Sequence, residues 1–306
     1  FQIRNSPKGM IWGTGEVVVF SPSSPPRSEC VTDDDGVHTM ILQTTLNLSK
    51  ELALLLTNLL RKGNDRVRQS VLEILSTLPA SLNLPATEFV ELLKSEDAEI
   101  RAKAAKYLGM IRDEMAVPYL CQVLLYDPSD TVRTWAAWAL GILKSSQALD
   151  ILTSIAQDTK SNAQIRKWAV WALGEIGDLQ ALETLIGLLG SQHEPPTIDT
   201  ALQSYILRRL SPIPVDIPEV SLADVAFQSI ASIGKKYIEE LIDHIAYVPD
   251  RVKLCLTNLA TMLIVDSGDA RHIPLLEKIW RQLDLEELLD EDQVEAFSFL
   301  TEQIIH

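Results

Sequence analysis

No stretch of the 306-residue sequence approaches the roughly 18 uninterrupted apolar residues that a membrane span requires. Cysteine is scarce: Cys30, Cys121 and Cys255 are odd in number and far apart, which excludes a CxxC metal knuckle and suits a reducing compartment. Each reads as a buried thiol. Positive charge is also in deficit, with 27 Lys and Arg against 42 Asp and Glu, for a net charge of −15. That balance repels phosphate backbones and anionic bilayers, so nucleic acid is not an expected partner. Of the five histidines, His38, His193, His244, His272 and His306, no two are close enough in sequence to share a helical metal face. No phosphate-binding glycine loop, GxGxxG or GxSxG occurs, and spacing identifies no catalytic residue, metal ligand or cofactor. The first residue is Phe1, with no basic-then-apolar leader, so the chain reads as processed, truncated or a fragment, and as cytoplasmic.

What is present is a repeat. Val67-Arg68, Ile100-Arg101, Val132-Arg133 and Ile165-Arg166 place an arginine every 33, 32 and 33 residues. Three of these starts run on through small residues to Leu-Gly: IRAKAAKYLG (100–109), VRTWAAWALG (132–141) and IRKWAVWALG (165–174). Apolar residues in each unit fall at helical spacing, and a second amphipathic stripe follows, as in Ala148, Leu149, Leu152 and Ile155, then Leu182, Leu185, Ile186 and Leu189. Two short helices cannot bury such faces alone, so neighbouring units must stack. The expected fold is all-α, a right-handed α-solenoid of about six two-helix units. Ala104, Ala105, Ala136, Ala137 and Ala169 would permit close helix approach. Gly109, Gly141 and Gly174 would end their helices or pack closely.

On these motifs the chain resembles the HEAT repeats of the phycobilin-lyase type, whose units carry a VRxxAAxALG first helix and an ALxxLxxLL second helix. The resemblance is specific for about residues 95–190. The first unit keeps Asp65 and Arg68 but has Val71 and Leu72 in place of alanines; a later one, VAFQSIASIG (225–234), has Ala226 in place of arginine; another begins near Arg251. Residues 49–190 are thus HEAT-like repeats. Residues 191–222 hold five of the fifteen prolines and read as an insertion where the solenoid bends. Residues 223–306 are divergent repeats ending in an acidic capping helix, since 284–306 carry eight acids and no Lys or Arg. Residues 1–48 form a strand and loop segment, with strands expected at Glu16–Phe20 and Val37–Leu48, packed on the first unit.

Three groups are candidate sites, and each has a purely structural reading beside it. Arg68, Arg101, Arg133 and Arg166 would form a ladder able to hold an anion, or a structural ladder pairing with Asp65, Asp97, Asp130 and Asn162; the structural ladder is the expectation. Trp135 and Trp138 recur as Trp168 and Trp171, while equivalent positions hold Lys103 and Lys106, Ser70 and Glu73, or Gln228 and Ala231. The scaffold therefore tolerates polar residues there, and the indoles are candidate anchors for a partner or flat ligand, or else padding between helices. Tyr205, Arg208 and Arg209 would hold a carboxylate, or form a solvated helix face. His193-Glu194 is the only His-Glu pair, too few for a HEAT-like di-iron hydroxylase.

The expected function is a non-catalytic scaffold that binds another protein along an extended surface, in a complex that is heteromeric if a second subunit completes the activity. The phycobilin-lyase resemblance implies an alternative, a subunit handling a linear tetrapyrrole or a phycobiliprotein in phycobilisome processing, with bilin as ligand. If that chain were an enzyme, it would be a lyase acting on the bilin–phycobiliprotein linkage.

Overall fold

The computed structural model describes residues 3–6, 9–12, 18–19, 51–77, 84–191 and 221–272, together with 274–275 and 278–279. The expected strand at Val37–Leu48, the proline-rich 192–220, the capping helix at 284–306, and Cys30, His38, His193, Tyr205, Arg208, Arg209 and His306 lie outside the described residues. The chain divides into two compact units, residues 1–71 with 77–84, and residues 72–76 with 85–306.

In the first unit, strands β1 (Ile3–Ser6), β2 (Gly9–Trp12) and β3 (Val18–Val19) form an antiparallel sheet in that order. Ile3 pairs with Trp12, and Met10 with Val19. Only β3 falls within an expected strand. β1 (IRNS) and β2 (GMIW) hold no run of β-branched residues like the three valines at 17–19 that mark β3. Helix α1 covers 51–62 and α2 spans Asp65–Thr77. Leu56 and Leu60 of α1 are buried, whereas Leu52, Leu54, Leu55 and Leu59 are exposed.

The second unit is an α-solenoid in two layers. Its helices are α3 (Ala86–Leu92), α4 (Ala98–Ile111), α5 (Val117–Tyr126), α6 (Asp130–Leu143), α7 (Leu149–Gln157), α8 (Ala163–Ile176), α9 (Gln180–Ser191), α10 (Leu222–Gly234), α11 (Ile238–Ile245) and α12 (Asp250–Ser267). First helices α4, α6, α8 and α10 stack in series, and second helices α5, α7 and α9 each pack against the following first helix. Local chemistry sets the starts. Asp97 and Asn162 cap α4 and α8 by accepting the Glu99 and Gln164 amides, at 2.7 and 2.8 Å. Left-handed residues end three first helices: Arg112 (φ 58°), Lys144 (φ 53°) and Gly177 (φ 69°).

Ala104, Ala105, Ala136, Ala137 and Ala169 are fully buried, and Ala139 and Ala172 are the alanines that meet the facing first helix. Gly109, Gly141 and Gly174 lie inside their helices and close the same contacts. A Cβ on Gly109 would come within 2.8 Å of the Ala139 Cα, and one on Gly141 within 2.9 Å of the Ala172 Cα. A Cβ on Gly174 would meet Ser229 at 2.6 Å. Close approach, not chain termination, is therefore their role.

Helix α10 resumes the stack directly on α8, on the far side of residues 192–220 in sequence. Sequence alignment of VAFQSIASIG with IRKWAVWALG would put Ser232 against Gly174, the place that Ala139 and Ala172 take in earlier contacts. Ser229 stands there instead. The packing has slipped by three residues, nearly one helical turn. The Ser229 hydroxyl, fully buried, donates to the Val170 carbonyl at 2.9 Å, which satisfies the one polar group the slip brings in.

Candidate functional site

The repeated arginines reach backward along the chain. Arg133 Nε donates to the Leu124 carbonyl at 2.9 Å and Arg166 Nε to the Ala156 carbonyl at 3.1 Å, both in the last turn of the preceding second helix. In the first unit, Arg68 Nε does the same to Leu60 at 3.0 Å. Those last-turn carbonyls have no partner within their own helices, and a guanidinium both bonds them and suits the negative end of the helix dipole. Asp65 and Asp130 flank Arg68 and Arg133 at 3.2 and 3.6 Å.

Arg101 differs from the other three. Its Nη1 donates to the Ser95 and Glu96 carbonyls at 2.8 and 2.9 Å, while Nε and Nη2 grip both carboxylate oxygens of Asp127 at 2.7 and 3.0 Å. Asp97, the acid expected beside it, caps α4, and its negative charge also favours the Arg101 cation. The missed partner, Asp127, lies 26 residues away at the end of α5. Only 10% of the Arg101 side chain and 6% of that of Asp127 are exposed, and the hydrogen bonds to Asp127 raise the Arg101 pKa. With four of its five N–H groups directed at protein atoms, Arg101 has little left to offer a ligand.

The four candidate tryptophans stand on α6 and α8 and do not share one environment. Trp135 and Trp138 form an edge-on pair with ring centroids 5.5 Å apart, and Trp168 and Trp171 repeat it at 5.3 Å. The second member of each pair lies on the preceding first helix. A Cβ on Gly109 would come within 2.9 Å of the Trp138 ring, and one on Gly141 within 2.5 Å of the Trp171 ring. Trp171 is buried, with 4% exposed, and Trp138 is half-buried. The first members, Trp135 and Trp168, are half-buried. The ammonium of Lys106 sits 5.0 Å over the Trp135 ring, and Lys103, the other lysine of that α4 face, pairs with Glu99 at 2.8 Å.

Between the N-terminal halves of α6 and α8 these side chains enclose a cleft of about 320 Å³. Its apolar walls are Trp135, Trp138 and Trp168. Polar lining comes from Asp130, Thr131, Thr134, Asn162 and Gln164, and no Lys or Arg lines it. The Asn162 amide donates to Asp130 at 2.8 Å across the junction, tying the starts of the two helices together. Sequence reasoning identified the indoles; it passed over the threonines and Gln164, whose only signal was their place in the first turns beside tryptophan.

Elsewhere the described residues hold no comparable chemistry. Among them, no group of three or more His, Cys, Asp or Glu side chains is placed to hold a metal, and no helix is long and apolar enough to cross a membrane. Cys121 and Cys255 are free and buried; desolvation raises the Cys121 pKa, and desolvation with the nearby charge of Asp224 pushes Cys255 up to about 12.

Residues 86–161 and 117–206 match a family model described as HEAT repeats. No curated protein matches the sequence. A solved structure described as the complex of CpcE and CpcF of phycocyanin lyase from Nostoc sp. PCC7120 is similar at 20% identity and a TM-score of 0.42, covering 78% of this chain and 94% of that one.

Proposed function

We propose that this chain, an α-solenoid whose residues 86–161 and 117–206 match the HEAT-repeat model, is a non-catalytic scaffold that binds another protein through the cleft-bearing face of α6 and α8. One observation carries the reading: the helical stack does not use up Trp135 and Trp168. Close contacts between first helices are made by Gly109, Gly141, Ala139 and Ala172 with Trp138 and Trp171 beside them, and Trp135 and Trp168 are left lining an open cleft. Half-exposed indoles beside hydrogen-bonding groups are the anchors that protein interfaces favour.

A linear tetrapyrrole is the second reading, favoured by the flat aromatic walls. Size and charge weigh against it. A volume of about 320 Å³ is at the bottom of the range of about 300–1,000 Å³ that buries a drug-sized ligand. A tetrapyrrole's propionates would meet Asp130 and no lining cation.

The test is retention of a cognate partner by immobilised wild type, Trp168→Ala and Trp135→Ala proteins, with the visible absorbance of the purified chain recorded alongside. The scaffold reading expects a protein kept by wild type and lost from both variants at unchanged circular dichroism. Retention untouched by both substitutions rejects it, and a visible chromophore that leaves with Trp168 transfers the site to the tetrapyrrole reading.

A further inference from the structure

We infer that the α6–α8 cleft takes a cationic side chain, an arginine on a basic segment of the partner; this rests on the scaffold reading and names the chemistry of its occupant. An indole face carries negative quadrupolar charge and attracts a guanidinium or ammonium within about 6 Å. Three indoles line the cleft, and a carboxylate, Asp130, stands at its edge with 55% of its side chain exposed. Thr131, Thr134, Asn162 and Gln164 supply oxygen acceptors for a guanidinium's fork of N–H groups.

The protein already places a cation against one of these rings. Lys106 lies over Trp135 at 5.0 Å, so the indole row accepts a positive charge in this geometry without help from the partner. Asp130 accepts from Asn162 at 2.8 Å and lies 3.6 Å from Arg133, contacts that hold its orientation. A carboxylate has about four acceptor positions, so capacity remains for one more donor. Arg133 does not compete for the cleft, because its Nε is bound to the Leu124 carbonyl at 2.9 Å. The net charge of −15 draws a basic segment toward the whole surface, and an acidic or phosphorylated one is repelled.

The experiment uses the full chain with its indole N–H groups observed by nuclear magnetic resonance. N-acetyl-arginine amide is titrated to about 0.1 M, enough to reveal contacts with dissociation constants in the millimolar range. Its neutral isostere N-acetyl-citrulline amide and sodium propionate serve as controls. The expected result is a saturable shift of the Trp135 and Trp168 signals with the arginine probe and at least about tenfold weaker binding of citrulline, as removal of a charge from a desolvated cation–π contact implies. Asp130→Asn should weaken the arginine probe about threefold to tenfold. Trp168→Phe should retain part of the binding and Trp168→Ala lose it.

Equal shifts from citrulline, preference for propionate, or no saturable shift with arginine would each overturn the inference. If the partner is still lost from Trp168→Ala while the arginine probe does nothing, the scaffold reading survives and only the cationic occupant is rejected. If the probe binds as expected but the partner ignores Trp168, the scaffold reading fails at this face.

Discussion

The junctions α4–α6 and α6–α8 are built alike, and α8–α10 is built differently. In the first two, a glycine meets an alanine and a tryptophan ring, Gly109 with Ala139 and Trp138, then Gly141 with Ala172 and Trp171. In the third, Gly174 meets Ser229, and a buried hydroxyl bonded to Val170 takes the place of the alanine. The glycine is therefore what close stacking requires. Its facing residue is open to change provided it is small and any polar atom is satisfied. Tryptophan belongs to the two inner junctions and not to the principle of stacking.

Breaking an inner junction should have the largest effect. Trp171→Ala empties a buried site against Gly141 and should cost about 4 kcal/mol, whereas Trp168→Ala, on a half-buried ring, should cost about 1 kcal/mol or less. Thermal melting of the two variants separates them, and equal losses would erase the distinction between packing and cleft tryptophans. Gly141→Val follows at about 3 kcal/mol, because the new side chain meets backbone as well as a ring. Gly187→Ala is its counterpart: apart from its chain neighbours and its own helix backbone, nothing lies within 4 Å of a Cβ there, so better helix propensity should raise stability by about 0.5–1 kcal/mol. A denaturant midpoint that falls for both would mean that glycine has a general role in these helices.

Ser229→Ala sharpens the contrast at the third junction. Loss of one buried hydrogen bond should cost about 1 kcal/mol, read from the denaturant midpoint, and a rise in stability would show that the hydroxyl is a burden the junction merely tolerates. The smallest effect at neutral pH concerns one thiol from each region, Cys121 in α5 and Cys255 in α12. Both pKa values are raised, so each thiol favours folding below its unfolded pKa near about 8.5. For Cys255 that contribution is lost as pH climbs toward about 12. Peptide-resolved alkylation at pH 8 should leave both unmodified in the native protein, and prompt labelling of Cys255 would contradict its burial.

Sequence alone made the regular stack legible, because a repeat period identifies equivalent positions. It says which residues share a role without saying what they face. Trp135 and Trp138 occupy neighbouring places on one helix surface, yet only Trp138 reaches the preceding glycine, a difference set by how α6 lies on α4. Arg101 shows the same limit. Asp97 is nearest in sequence, but it caps α4, and the bidentate partner Asp127 arrives from the far end of the same repeat. The slip at α10 was hidden because a pattern of small residues reads almost equally well when shifted by one turn. Strands β1 and β2 were missed because neither carries a run of β-branched residues.

The arginine bonds put the covalent repeat and the cohesive unit out of phase. Arg133 opens one repeat in sequence but seals the helix that closes the one before, and Arg166 does so for the next. A chain cut at the sequence boundary would strand an open helix end on one piece and an idle guanidinium on the other. The sound places to divide or shuffle this protein lie past the arginine, within the first helix, so its modules are best defined as a second helix together with the opening turn that follows it.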